Sequence, residues 1–262
     1  NHISNSLIFV TGVGVLVFFL GTITAWTVTN FKFPGRNTFE WALILPLAIP
    51  PYILAYTFTG LFDPYGDANN FIREILGLDQ DVIIFPSVRN IYGAITVFGF
   101  TLYPYVYLVS RSAFINQSKS MIEASRMLGL NQIQVFYKLA LPIIRPAAVG
   151  GMMLVIMETL SDFGAVDHFA IETFTTGIFR TWYGLYDLQT AMQLASLLLI
   201  TVGIFYILEK NSRGDGIYTS SNSTFSPNKE EVLSGIRAFF AFSICLLPIF
   251  IGFILPILEL SL

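Results

Sequence analysis

Apolar runs of about twenty residues recur along the whole chain, and no other feature restricts its fold so strongly. As a helix rising about 1.5 Å per residue, such a run crosses the hydrocarbon core of a bilayer. Five full runs and one shorter one are read, at residues 7–28, 39–61, 92–109, 147–160, 188–208 and 236–258, the short one being 147–160. The composition agrees, with 54% hydrophobic and 12% charged residues, where a soluble domain carries about 25% charged. The reading is an all-α, polytopic helical bundle in a lipid membrane. Cys245 stands alone, so an internal disulfide and a Cys-based metal site are excluded. Nothing at the start reads as a cleavable signal peptide. The first residue is Asn1, and a longer gene product is expected around this sequence.

Proline and glycine punctuate these runs. Pro46, Pro50 and Pro51 predict a bend or break in the second, with neighbours satisfying the freed carbonyls. Pro104 and Pro248 interrupt the third and sixth, and Gly150-Gly151 allows close helix contact in the fourth. Trp26 and Trp41 suit the two interfaces, and Tyr103, Tyr105 and Tyr107 read as belt or packing residues. Orientation follows from the basic residues. Eleven fall on one set of connections, including Lys32, Arg36, Arg111, Lys119, Lys138, Lys210 and Arg237. Only Arg73, Arg89 and Arg180 fall on the other, so the first set is cytoplasmic. The outer connection 63–90 is acidic and should hold a short helix near residues 70–76. It reads equally as a solvated loop or as a surface that touches a partner.

Residues 123–142 are the long amphipathic stretch between two runs. Ser120 and Glu123 form a capping box, and Gly129 suits the left-handed end of the helix they start. Asn131 and Gln134 form a second box, and the helix after it places Ile133, Phe136, Tyr137 and Leu141 near one stripe. Pro142 is expected to close that helix. This stretch resembles the cytoplasmic EAA loop of the inner-membrane permeases of binding-protein-dependent ABC importers. Glu123, Ala124, Gly129, Leu141 and Pro142 match its spacing, while Ser125 and Leu139 replace an Ala and an Ile. The resemblance implies the type-I importer fold. It also implies that residues 123–142 dock on a separate cytoplasmic ABC ATPase, with ATP and Mg bound there and no cofactor in this chain. A periplasmic substrate-binding protein and a second permease half complete the expected partners. The interfacial alternative, in which Glu123 only caps its own helix, stands beside this.

Glu158 and Asp162 lie four apart at the outer end of the fourth run and would share a face if the helix persists. Carboxylates near hydrocarbon are costly and are candidates for the translocation pathway. Two bland readings stand beside this one: both face water at the interface, or both pair with Arg180. Asp167, His168, Glu172, Tyr183 and Tyr186 follow, and their oxygens are hard ligands that suit Fe(III). His168 reads as a packed or surface residue rather than a ligand. ETLSDFG and TFTTGIFRTW resemble the ferric-iron branch of these permeases, and that resemblance selects iron(III) as cargo. Thiamine, a phosphonate, a polyamine or another small solute is the alternative cargo. An ion-coupled secondary transporter or channel is the alternative class.

No P-loop and no nucleophile–base pair occurs, so the chain is read as a translocation subunit rather than an enzyme. No nucleic-acid partner is expected. Residues 211–228 are rich in Ser, Asn, Gly and Thr and read as a linker. The division is therefore 1–209 as a permease half lacking its first span, 210–235 as a cytoplasmic linker, and 236–262 as the first span of a second, truncated half.

Overall fold

The computed structural model describes residues 2–79, 82–116, 125, 127, 129–213 and 231–261. Its long helices are α1 (His2–Asn30), α5 (Ile91–Ile115), α6 (Gln132–Ser161), α9 (Leu188–Ile207, running on as helix to Arg213) and α10 (Ile236–Ser261). All five are long and apolar enough to cross a membrane. The second apolar run is different. It divides into α2 (Arg36–Ala42), a 3-10 turn (Leu45–Ala48) and α3 (Pro51–Leu61), whose legs meet at 88°. The shorter helices are α4 (Asp67–Leu76), α7 (Gly164–His168) and α8 (Phe174–Phe179), the last followed by a π turn at Arg180–Gly184.

The core is the three-helix contact of α1, α5 and α6. Small residues let the backbones approach, as membrane helices require in the absence of a hydrophobic drive between them. Val106 of α5 is fully buried at the centre. A Cβ added to Gly21 of α1 would lie 2.6 Å from the Val106 Cβ, and one added to Gly151 of α6 would lie 3.0 Å from the Val106 Cα. Trp26 of α1 ties one end of the three helices together, with its ring centroid 5.2 Å from Phe114 and 5.4 Å from Phe136.

The break in the second run is stabilised as lipid demands, by giving its exposed carbonyls new partners. Tyr103 and Tyr107 are fully buried in α5. Their hydroxyls donate to the Leu43 carbonyl at 2.8 Å and the Glu40 carbonyl at 2.9 Å. They are therefore packing residues with a polar duty, and they brace the point where the helix ends. Glu40 also pairs with Arg36 at 3.0 Å and with Arg111 at 3.3 Å.

Two expectations need correction. The fourth run is not short: it belongs to a 30-residue helix, α6, that starts at Gln132. Pro142 does not close the preceding helix. A π turn at Phe136–Ala140 comes just before it, and the chain re-enters α geometry at Leu141. The wider turn moves the Lys138 carbonyl off the proline ring and absorbs the missing N–H, so the rod survives. The same device recurs in α10, where a π turn at Phe250–Ile254 precedes Pro256.

Among the described residues the only strands are Phe31–Lys32 and Glu231–Val232, which pair in parallel with Phe31 opposite Glu231 and Lys32 opposite Val232. They clip the segment that leads into α10 to the end of α1. α10 then packs against α1 and α2, where Phe242 meets Phe39 at 5.1 Å.

Candidate coupling loop and pathway residues

Glu123, Ala124 and the Ser120–Glu123 box lie outside the described residues, and so does Lys119. The rest of the loop is built by local rules. Gly129 has φ +81°, and the Leu130 N–H donates to the Ser125 carbonyl at 3.2 Å. This six-to-one bond with a left-handed glycine is the Schellman closure of a helix. Ser125 itself is buried. Two residues after the glycine, Asn131 opens α6. Its Oδ1 accepts from the Gln134 N–H at 2.8 Å, and Gln134 Oε1 accepts from the Asn131 N–H at 3.0 Å.

The expected stripe of Ile133, Phe136, Tyr137 and Leu141 is split. Ile133 and Tyr137 are 69% and 56% exposed, whereas Phe136 is buried against Trp26. Leu139 and Leu141 are partly buried against the core. Ile133 and Tyr137, four apart, keep one face together, and that face points away from the core that Phe136, Leu139 and Leu141 meet. Met127, 89% exposed, stands on the helix before Gly129.

At the other end of α6, Glu158 and Asp162 do not share a helical face. The helix ends at Ser161, and Asp162 is extended, with ψ 133°. Its carboxylate accepts from the N–H groups of Ala165 at 3.0 Å and Val166 at 3.2 Å, so it caps α7. Burial raises its pKa above the ordinary aspartate value, partly opposed by those two N–H bonds, and the Glu158 charge raises it further. Glu158 stays exposed, and with Tyr105, Met157 and Leu198 it lines a cavity of about 390 Å³ between α5, α6 and α9. Neither carboxylate pairs with Arg180. That guanidinium stands 3.7 Å from Asp167 and 3.6 Å from Glu172.

His168 turns away from those carboxylates. Its Nε2 lies 2.6 Å from Thr59 Oγ1, and its ring rests on Tyr56 at 3.9 Å. Burial lowers its pKa, the Arg89 charge lowers it further, and Asp167 opposes both. Arg89 donates through Nε and NH2 to the His168 carbonyl, at 3.2 and 3.1 Å. The packed reading of His168 is the right one, and the outer segment is pinned by it. Sequence reasoning missed this clasp, because its partners are 109 and 79 residues away along the chain. Tyr183 and Tyr186 are 58% and 88% exposed. Among the described residues, no three His, Cys, Asp or Glu side chains gather where they could hold a metal ion.

The acidic outer connection is folded around a cation. Arg73 is buried and donates to the Val82 carbonyl at 2.9 Å and to Asn70 Oδ1 at 3.0 Å. Asn69, also buried, accepts from the N–H groups of Ile84 at 3.1 Å and Phe85 at 2.9 Å. Asp63, Asp67, Glu74 and Asp79 are left exposed, and Asp81 lies outside the described residues.

A bundle of crossing helices, one broken span and a glycine-closed loop at the foot of a long rod define a multi-pass membrane protein. The chain belongs to the family of binding-protein-dependent transport system inner membrane components, which matches residues 18–210. It is 25% identical over 233 residues to the Fe(3+)-transport system permease protein of Haemophilus influenzae, covering 88% of this chain and 42% of that protein. It is 28% identical over 149 residues to the sulfate transport system permease protein of Salmonella typhimurium, covering 56% of this chain and 50% of that one. The chain thus spans half or less of the length of these relatives. A bacterial ABC transporter of alginate, solved with a pentasaccharide-bound periplasmic protein, has the same fold at TM-score 0.62 and 17% identity, over 79% of this chain and 75% of its own.

Proposed function

We propose that this chain is the translocation unit of an ATP-driven importer of iron(III), driven through residues 123–142 by a separate cytoplasmic ATPase. The observation that carries the coupling role is the placement of the loop. Its Schellman-closed Gly129 and capped Asn131 present the exposed Met127, Ile133 and Tyr137 at the foot of α6. The same helix carries Glu158 at its far end. On this reading ATP and Mg are held and hydrolysed by the partner, whose closure moves α6 and switches access at the cavity beside Glu158. Glu123, Ala124, Ser125, Gly129, Leu139, Leu141 and Pro142 serve the coupling, and Glu158 lines the path. Asp162 serves the same path indirectly, by holding the outer segment in place.

Iron is favoured by the reach of the resemblance. The ferric relative aligns along 88% of the chain, whereas the sulfate relative aligns along 56%. On the same reading residues 210–235 are a linker and residues 236–262 the start of a second unit. A periplasmic binding protein then delivers the ion near the acidic outer connection.

The test is uptake in cells that carry the intact transporter. Glu158→Gln should abolish uptake of labelled iron while the ATPase still co-purifies. Gly129→Asp should lose the ATPase as well. Normal iron uptake by Glu158→Gln would remove the pathway role, and uptake of sulfate or molybdate in place of iron would change the cargo. A transporter active without any ATPase would overturn the class.

A further inference from the structure

Three helix ends meet at residues 231–233, and none of them has slack. Phe31 follows α1 directly after Asn30, and Gln132 is the first residue of α6. Ile236, the first residue of α10, comes four positions after Val232, which limits their separation to about 14 Å. Gly235, at φ +60°, makes the turn between them. The parallel pairing of Phe31–Lys32 with Glu231–Val232 is continued by the Leu233 N–H, which donates to the Lys32 carbonyl at 2.9 Å. So short a two-stranded ladder does not hold by itself. Side chains add the rest. Gln132 Nε2 donates to Glu231 Oε2, 99 positions away along the chain, and Leu130 and Leu233 both pack on the core. Phe31 meets the Trp26 ring edge-on at 6.4 Å, and Trp26 in turn touches Phe114 of α5 and Phe136 of α6. Four residues beyond Gln132, α6 leaves α geometry in the π turn at Phe136–Ala140.

We propose that residues 231–233 are a strap that fixes the foot of α6 to the end of α1 and the start of α10, so that these three keep one spacing through the transport cycle while the rest of α6 turns at the π step. The proposal rests on residues 123–142 receiving the push of the ATPase, as read above. A passive tether to α10 needs neither the ladder nor the Gln132–Glu231 bond, and its ends drift apart freely. A rod with a loose foot slides when pushed. One held on two sides, by Trp26 and by the strap, is left with rotation. The Gln132 carboxamide is the contact that belongs to α6 itself, so it is where strap and coupling helix are joined.

The test uses the intact transporter with its native cysteines replaced. Spin labels at Lys138→Cys and Phe239→Cys, both exposed, report the spacing of the two helix feet by electron paramagnetic resonance, without nucleotide and with ATP and vanadate. One narrow distance distribution, the same in both states, is expected. Gln132→Ala with Leu233→Pro removes the side-chain donor and the N–H bonded to Lys32, and should broaden that distribution in both states. A spacing that shifts with nucleotide while the strap is unaltered overturns the proposal. So does a distribution that stays narrow in the double variant. Gln132→Ala alone asks the same question without a proline. Amide hydrogen exchange at Leu233 should quicken about tenfold, the factor for a lost bond of about 1.5 kcal/mol to a charged group. Glu231→Gln, which keeps an acceptor, should quicken it less, and unchanged exchange in Gln132→Ala overturns the proposal. Uptake by the unaltered transporter without any ATPase would sink the coupling reading instead. The exchange and the nucleotide-free distances do not depend on that reading and still decide the strap.

Discussion

Asp162 shows how a single residue can be chemically legible and still be assigned to the wrong partner. Its type and its distance from Glu158 were visible, but its role depends on where α6 stops, and no cap signal marks Ser161. As an acceptor for two N–H groups, it is replaceable by another acceptor. Asp162→Ala should therefore lower stability by about 1 kcal/mol, the usual loss for a removed helix cap, and Asp162→Asn should restore most of it. Thermal unfolding of the purified protein in detergent checks this. His168 gives a pH dependence with a definite sign. Its folded pKa lies below the ordinary 6.5, so below that value the unfolded chain binds the extra proton more readily. The clasp to Thr59 and Tyr56 is thus fully stable above pH 6.5 and weakens as the pH falls through it. Thermal unfolding followed from pH 8 to pH 5 should show this loss, and His168→Gln should flatten it.

At the scale of elements, the spans, the break at Pro46–Pro51 and both edges of the 129–131 turn were readable, because each rests on local chemistry. Proline, glycine and capping residues act within four positions of themselves. Gly129 offers a clean check, since a Cβ there meets none of the described residues within 4 Å. Any effect of Gly129→Ala is therefore conformational, on the order of 1–2 kcal/mol for a left-handed residue. Gly129→Asn should lose less, and ATPase stimulation by cargo-loaded binding protein should follow the same order. Pro142 was misread for the opposite reason. Whether a proline ends a helix or is absorbed by a π turn depends on what the surrounding side chains bury. Here Phe136 and Ala140 are fixed in the core on the near side, and Ile144 and Ala148 on the far side. Packing held the axis and the backbone hydrogen bonds adjusted.

At the scale of the whole molecule, hydropathy and the prolines gave the crossings, five long helices and one bent pair. They could not give which helix touches which, because every apolar face looks alike in lipid. The pairing of Phe31–Lys32 with Glu231–Val232 joins segments some two hundred positions apart and had no signature in either dipeptide. It is directly testable. Cys245 is the only native cysteine, so Cys245→Ala gives a clean background. In it, Lys32→Cys with Val232→Cys should form a disulfide on mild oxidation, since neighbouring strands lie within bonding reach. A shift of mobility after cleavage between the two sites reports it.

The uninterrupted course of α6 has a mechanical corollary. Its 30 residues make an arm about 45 Å long. If its base is where the proposed partner docks, a swing of about 10° about that base carries the far tip, near Glu158, by about 8 Å. Had Pro142 snapped the arm, the same push would have been dissipated in a joint. The soft π step sits instead close to the pivot, where compliance takes least from the stroke.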